Sequence, residues 1–188
     1  MLEEIRKLVE TACKQPTNYF GYGSWTHHIL PAVGYAKLMA KKTGADEEII
    51  EIAALFHDYA SVKDYGLYEN HHIDSAGLAA GILKKFSYPE NKIEQVRQCI
   101  LGHRGSKAGR RATKEAQCVA DGDAMVHFDS IPSLFYLAFF SHRMGIDGAN
   151  SWLMQKLERS WSKLSPGAKE IVKDKHEASK LLLGGKFL

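Results

Sequence analysis

The chain has 188 residues, a length typical of one domain with its own hydrophobic core. Its composition, 45% hydrophobic and 25% charged residues, excludes a low-complexity or intrinsically disordered chain. The net charge of +3 is too small to indicate a nucleic-acid partner.

The cysteines and the N-terminal residues bear on the cellular compartment. Cys13, Cys99 and Cys118 form no CxxC motif, so we expect neither a disulfide framework nor a zinc knuckle. No apolar run approaches the ~18 residues of a membrane-spanning helix. The charged N-terminal segment also lacks the apolar core of a signal peptide. The sequence therefore predicts a cytoplasmic protein with no membrane partner.

Helical periodicity dominates the first half of the chain. A first helix is predicted in LEEIRKLVETACK, and Pro16, Gly21 and Gly23 interrupt the pattern after it. The next helix is expected to begin at Thr26, as its capping residue, and to end at Gly44. ADEEIIEIAALFHDYA follows as a helix with acidic residues in its first turn, where the helix dipole favours them. SVKDYGLYEN is predicted to be a loop.

Helices also dominate the second half. HHIDSAGLAAGILKKFSY is rich in small residues, and PENKIEQVRQCILGHR begins with Pro89, which is typical of a helix start. GSKAGRR is predicted to be a basic loop. TKEAQCVADGDAMVHF and SIPSLFYLAFFSHRMG are the next helices, and the run LFYLAFF within the latter is expected to be buried. Two amphipathic helices fill residues 148–183, divided by SPG.

Alternation with a period of two residues, which is typical of strands, is absent. We therefore predict an all-α fold, a compact orthogonal bundle of about eight or nine helices, forming a single domain over residues 1–188. Its core is expected at about residues 26–128, and the helices in 129–188 complete or extend the bundle. These last helices carry Trp152 and Trp161, which suggest a homo-oligomer interface as a hypothesis.

Histidines and aspartates stand at the predicted helix ends. Side chains from the ends of several helices can converge on one cavity, and a mixed set of imidazoles and carboxylates suits a divalent metal ion. The candidates are His28, the pair His57 and Asp58, His71 or His72, His103, and Asp121 or Asp123. Three further histidines are expected to be core residues: His127, His142 and His176.

The order of these residues resembles the HD-domain superfamily of metal-dependent phosphohydrolases. The resemblance extends from about His28 to Asp123 and rests on the phrases THHILPAVGYAKLMA, EIAALFHDYA, HHIDSAGLAAGIL, ILGHR and VADGDAM. It implies an all-helical fold and one metal ion bound by His28, His57, Asp58 and Asp123. Asp121 is the alternative last ligand, or a residue that orients a ligand. The metal would be Mn, Co, Ni, Fe, Zn or Mg, with one, or two, ions per chain.

The resemblance also implies roles for the residues around this metal set. Asp58 would bind the metal and steer the attacking water, and His71 and His103 would bind a second metal or the substrate phosphate. The family usually follows its His-Asp pair with Gly-Lys, whereas this chain has YASVK, so Lys63 is the candidate catalytic cation. Four other cations are candidates for gripping the phosphate: Arg104, Lys107, Arg110 and Arg111.

These features predict an enzyme that hydrolyses a small phosphate ester, with nucleotides as the leading class. The departure from Gly-Lys supports an alternative, a regulatory module that keeps the metal and a phosphorylated ligand but has lost turnover. A nucleic-acid role for the basic loop is a third hypothesis, which the small net charge opposes. The aromatic residues just before His28 favour packing over a base-stacking wall: Tyr19, Phe20, Tyr22 and Trp25.

Overall fold

The computed structural model describes residues 1–104 and 111–184, and every regular element in these two ranges is helical. This confirms the predicted all-α fold. Eight of the α-helices in these ranges have ten or more residues, in line with the predicted eight or nine. The α-helices in chain order are α1 (Leu2–Lys14), α2 (Leu30–Thr43), α3 (Glu47–Phe56), α4 (Tyr59–Lys63), α5 (His71–Lys85), α6 (Glu90–His103), α7 (Lys114–Asp129), α8 (Ile131–Tyr136), α9 (Ile146–Lys163) and α10 (Pro166–Leu183).

The second helix does not begin as predicted. A π-helical turn, Trp25–Ile29, precedes α2, and Thr26 lies inside this turn instead of capping the helix. The side chain of Ser24, which precedes the turn, makes no capping hydrogen bond either. The predicted end is correct, because Gly44 stops α2 in the left-handed conformation with φ 65°. The wide turn changes the direction of the side chains just ahead of α2, where His28 lies.

The segment predicted to be a loop is largely helical. It contains most of α4 and a 3-10 helix, Tyr65–Asn70. Asp64 separates the two, and its side chain accepts a hydrogen bond from the Gly66 backbone N–H at 2.8 Å. The prediction was wrong because both elements are too short to show a hydrophobic period.

The centre of the bundle is built on α3 and α7. All eight residues from Ile49 to Phe56 are buried, although one of them, Glu51, is charged. Its carboxylate pairs with Arg6 of α1 at 2.6 Å and with Lys37 of α2. Burying a carboxylate is tolerated only when it is paired, so this triad ties three helices together while satisfying the charge.

Helix α7 packs very closely against α2. A Cβ atom at Gly122 would lie 2.5 Å from the carbonyl oxygen of Ala32 and 2.8 Å from Cβ of Ala36. The approach of the two backbones therefore requires glycine at this position. The contact holds the middle of α7 against the beginning of α2, next to the π-helical turn.

The aromatic run in residues 134–140 is helical but only partly buried. It spans α8 and a second π-helical turn, Leu137–Ser141. Leu134 and Ala138 are buried, whereas Tyr136, Phe139 and Phe140 are 54%, 43% and 49% exposed. The prediction of a buried helix was wrong because one face alone packs on the bundle.

The C-terminal helices α9 and α10 pack against α7. The predicted interface residues of α9 are engaged within the chain: Trp161 stacks on His176 with ring centroids 4.0 Å apart, and Trp152 lies against His142 at 5.2 Å. These contacts give no support to an oligomer interface at the two tryptophans. In the described ranges, no helix has the length and apolar character needed to cross a membrane.

Candidate metal centre

Three residues from the π-helical turn and from the junction of α3 and α4 form the first part of the site. The π-helical turn carries His28, His57 directly follows α3, and Asp58 precedes α4. The His28 Nε2 atom lies 3.0 Å from His57 Nε2 and 3.1 Å from Asp58 Oδ2. The same carboxylate oxygen is 3.5 Å from His57 Nε2. Two imidazoles and one carboxylate oxygen thus converge within the span of one coordination sphere.

Helix α7 adds one of its two candidate aspartates to this group. Asp123 Oδ1 lies 3.6 Å from His28 Nε2 and 3.9 Å from His57 Nε2. Asp121 faces elsewhere and accepts hydrogen bonds from the Ser165 hydroxyl at 2.6 Å and the Ser165 backbone N–H at 2.8 Å. Residues two apart on a helix point about 200° from one another, so only one of them can face the cluster.

A second pair of histidines faces the other oxygen of Asp58. His71 begins α5 and His103 ends α6. Asp58 Oδ1 lies 3.2 Å from His71 Nε2 and 3.7 Å from His103 Nε2. The two Nε2 atoms are 3.1 Å apart. The carboxylate of Asp58 therefore stands between two imidazole pairs, with one oxygen toward each.

Backbone carbonyls fix the tautomers of three of these imidazoles. Nδ1 of His57, His71 and His103 lies 2.7, 2.6 and 2.6 Å from a carbonyl oxygen three residues earlier in the chain. A carbonyl can only accept, so in each neutral ring Nδ1 holds the proton and Nε2 presents a lone pair to the cluster. Lone pairs that face one another at about 3 Å repel unless a cation lies between them. The donor set therefore fits a divalent metal ion.

His127 belongs to the same cluster, although the sequence analysis interpreted it as a core histidine. The Ser160 hydroxyl donates to the Lys156 carbonyl at 2.9 Å, so it must accept from His127 Nδ1 at 2.8 Å. His127 Nε2 is then a lone pair as well, 3.8 Å from Asp123 Oδ1. The spacing of four residues between Asp123 and His127, one helical turn, was the sequence signal that could have revealed it.

The pKa shifts favour charged carboxylates at Asp58 and Asp123 and neutral imidazoles at His57, His103 and His127. Burial alone would raise the pKa of Asp58, but His57 and His71 outweigh it and hold the pKa well below its ordinary value. Burial would likewise raise the pKa of Asp123, and Lys163 and His127 hold it well below. Burial lowers the pKa of His57 and of His127. It also lowers the pKa of His103 to about 3. Carboxylates and neutral imidazoles are the protonation states that a metal ion binds.

The candidate cations divide into those that reach the site and those that do not. Lys63 is exposed, lies 5.6 Å from the ring centroid of Tyr59, and is not among the residues that line the cavity. Its predicted role as the catalytic cation therefore lacks the necessary placement. Arg104 and Arg111 do line the cavity; Arg104 donates to the backbone carbonyl of Glu69. Lys107 and Arg110 lie outside the described residues.

Three cations of α9, absent from the sequence-based candidates, also line the cavity: Lys156, Arg159 and Lys163. Lys163 forms an ion pair with Asp123 and donates to the carbonyl of His103 at 3.3 Å. The sequence did not predict that these residues line the cavity, because basic residues on an amphipathic helix ordinarily face solvent.

The cluster opens into a cavity of about 1120 Å³. This volume is slightly above the ~300–1,000 Å³ that is typical of small-molecule sites. Phe20, Tyr22 and Tyr68 lie in its wall, whereas Trp25 is buried in the core. Trp25 therefore packs in the core as expected, whereas Phe20 and Tyr22 also face the cavity.

The fold is a helical bundle, and its His-Asp pair lies at a helix junction beside imidazoles from other helices. This combination is typical of a class of metal-binding helical domains. The particular family follows from comparison: residues 25–126, more than half of the chain, match the HD domain family model. The chain belongs to the HD-domain family.

Other proteins with similar sequences or structures agree with this fold. An uncharacterised protein of Clostridium beijerinckii is 34% identical over 83 residues, which cover 43% of this chain and 53% of the relative, about half of its length. Lin1889 of Listeria innocua (19% identity) and YpgQ of Bacillus subtilis, solved in complex with ADP (20% identity), both have a TM-score of 0.68. Each comparison covers 98% of this chain and 94% of the other.

Proposed function

We propose that this protein is a metal-dependent phosphohydrolase that hydrolyses a small phosphate ester, with nucleotides as the leading substrate class. The observation that carries the proposal is the set of imidazole lone pairs around the Asp58 carboxylate. Nε2 of His71 and Nε2 of His103 are 3.1 Å apart, and both rings donate their proton to the backbone. A cation between these lone pairs would relieve their mutual repulsion, and the pair lies in the wall of a large cavity.

The proposed ligands of the metal are His28, His57, Asp58 and Asp123. A bound divalent ion supplies Lewis-acid chemistry, which lowers the pKa of water and neutralises charge on phosphoryl oxygens. The backbone carbonyls of Ala54, Tyr68 and Ile100 hold the imidazole rings in orientation. His71 and His103 are proposed to hold either a second ion or an oxygen of the phosphate.

The cavity wall supports a phosphorylated, aromatic ligand. Arg104 and Arg111 line the cavity and are proposed to neutralise phosphoryl oxygens, and the rings of Phe20 and Tyr68 are proposed as stacking surfaces for a nucleobase. YpgQ, which has a similar fold, was solved with ADP, and this agrees with a nucleotide substrate. The three described cysteines are free and buried, which suits the proposed cytoplasmic location.

A catalytically weak ligand-binding module is the second candidate. Its support is the placement of Lys63, which follows the His-Asp pair but is exposed over the ring of Tyr59. If no other cation replaces the missing lysine, the transition state loses charge stabilisation and turnover falls while ligand binding persists.

The two candidates are separated by one set of assays. The purified protein is stripped of metal and reloaded in turn with manganese, cobalt, nickel, iron, zinc and magnesium. Each form is then assayed with a panel of nucleotides and p-nitrophenyl phosphate, beside Asp58→Ala and the matched surface variant Asp174→Ala. Metal-dependent turnover that Asp58→Ala abolishes and Asp174→Ala keeps would support the enzyme. A nucleotide bound tightly and recovered unchanged would support the module. A protein that holds no metal and turns over nothing would refute the proposed enzyme.

A further inference from the structure

His127 follows the candidate ligand Asp123 by four residues, about one turn of α7, so both side chains lie on the same helix face. Zinc sites use this spacing when one helix supplies two ligands. His127 stands one position beyond the residues that match the HD-domain model, and that match gives it no role. Its surroundings in the structure indicate a role at the metal centre.

The ring of His127 is held with one nitrogen toward the metal centre. The Ser160 hydroxyl accepts a hydrogen bond from Nδ1 at 2.8 Å, so Nε2 carries a lone pair. The side chain is only 5% exposed and lines the cavity. Among the residues that the structure describes, none donates a hydrogen bond to Nε2. A nearly buried acceptor without a donor is unfavourable, and a metal ion would satisfy it.

Nε2 of His127 lies close enough to two candidate ligands to share an ion with them. It is 3.8 Å from Asp123 Oδ1, which is itself 3.6 Å from His28 Nε2. The three donor atoms lie within 4.8 Å of one another, and the planes of the two imidazoles are inclined by only 15°. Two donors bound at ~2.1 Å to the same ion can be up to ~4.2 Å apart. Both distances to Asp123 therefore fit a shared ion.

The first ion is the one whose proposed ligands are His28, His57, Asp58 and Asp123. We propose that His127 is a further ligand of this ion and that it favours transition metals over Mg²⁺. Imidazole nitrogen suits transition-metal ions, whereas Mg²⁺ prefers oxygen ligands and keeps several water molecules. A third imidazole therefore shifts the donor set toward transition metals. The inference rests on the proposed function and deepens it by assigning a residue to the metal preference of the site.

The test compares His127→Ala with the unmodified protein and with His27→Ala, by chelator competition for Co²⁺ and by calorimetry for Mg²⁺. His27 is an exposed neighbour of His28 in the same π-helical turn, so it provides the matched control. Loss of a ligand should lower the affinity for Co²⁺ at least ~10-fold. The affinity for Mg²⁺ should change by less than about threefold, because water replaces the imidazole at little cost. The preference for Co²⁺ over Mg²⁺ thus falls in His127→Ala and is kept in His27→Ala.

The visible absorption spectrum of bound Co²⁺ gives a second readout, because it depends on the number and type of the ligands. The spectrum should change in His127→Ala, and added imidazole should restore it, since the cavity gives access to the position of the lost ring. Circular dichroism and chemical denaturation of each variant identify lost folding. If His127→Ala does not fold, His127→Gln, which keeps more of the side-chain volume, takes its place in the affinity comparison.

An unchanged Co²⁺ spectrum, or equal losses of Co²⁺ and Mg²⁺ affinity in a folded variant, would overturn the proposal. Loss of one of two bound ions with the other unaffected would also overturn it, because His127 would then bind a separate ion. These readouts record metal binding alone. Turnover together with Co²⁺ binding that is independent of His127 contradicts only this inference, whereas binding that depends on His127 in a protein without turnover contradicts only the proposed function.

Discussion

Replacing Asp58 by asparagine tests the metal centre at its most connected residue. The amide keeps the shape of the side chain and removes one negative charge. In the structure, one oxygen of Asp58 faces His28 and His57, and the other faces His71 and His103. No other described carboxylate stands between both imidazole pairs, so the variant should weaken both halves of the site.

The magnitude follows from the size of the cluster. The donor atoms of the set formed by His28, His57 and Asp58 lie within 4.8 Å of one another, so an ion among them is close to the carboxylate. At ~4 Å and an effective dielectric constant of ~20, two unit charges interact by ~4 kcal/mol, and a divalent ion doubles this figure. If desolvation cancels more than half of this interaction energy, about 3 kcal/mol remains. Losing this energy corresponds to a roughly 100-fold loss of metal affinity.

The measurement is a chelator competition titration with manganese, followed by elemental analysis of the dialysed protein. Asp174→Asn on the exposed face of α10 makes the same change of charge far from the centre and should bind metal like the unmodified protein. Metal affinity in Asp58→Asn within threefold of the unmodified protein would refute the assignment of Asp58. A metal count of two per chain in the unmodified protein would assign the second ion to His71 and His103, and a count of one would leave them for the phosphate.

Three further predictions concern stability, each measured by chemical denaturation of the metal-free protein. Ser160→Ala leaves the His127 Nδ1–H without its acceptor and should destabilise by about 1–3 kcal/mol; an unchanged midpoint would argue against that bond. The pKa of His103, ordinarily 6.5, is about 3 in the fold, so the unfolded chain takes up a proton below pH 6.5 that the folded protein refuses. This group should therefore lower stability by up to about 1.4 kcal/mol per pH unit as the pH falls from 6.5 toward 3, and a His103→Gln variant should show a weaker slope; equal slopes would contradict this pKa. Gly122→Ala places a Cβ 2.5 Å from the Ala32 carbonyl and should destabilise by about 1–3 kcal/mol, whereas an unaffected variant would show that α2 and α7 can separate freely.

The fold class and the main candidate ligands could be predicted from the sequence because both depend on the local order of residues along the chain. Hydrophobic periodicity is a property of neighbouring residues, and it predicted helices where the structure has them. Short elements carry no such period, so α4 and the 3-10 helix Tyr65–Asn70 were taken for a loop. The aromatic run at 134–140 failed for a different reason: composition predicts that a segment is apolar but not how much of it a neighbour covers.

The residues around the predicted ligands depended on the packing of distant helices. The sequence left Asp121 and Asp123 as alternatives, and the direction of α7 against α2 decides which one faces His28. Lys63 lies close to the His-Asp pair in the chain, but it is exposed at the end of α4 and does not line the cavity.

By itself the sequence determined an all-helical chain with the ordered histidines and aspartates of a candidate metal site. Both features depend only on the spacing and the type of the residues. Tertiary structure alone decided the charge of the cavity. The cations of α9 lie more than 30 positions after Asp123 in the chain, and only the packing of α9 on α7 brings Lys163 to that carboxylate and leaves Lys156 and Arg159 facing the cavity. Electrostatic interactions act through space, and distance along the chain does not predict distance in the fold.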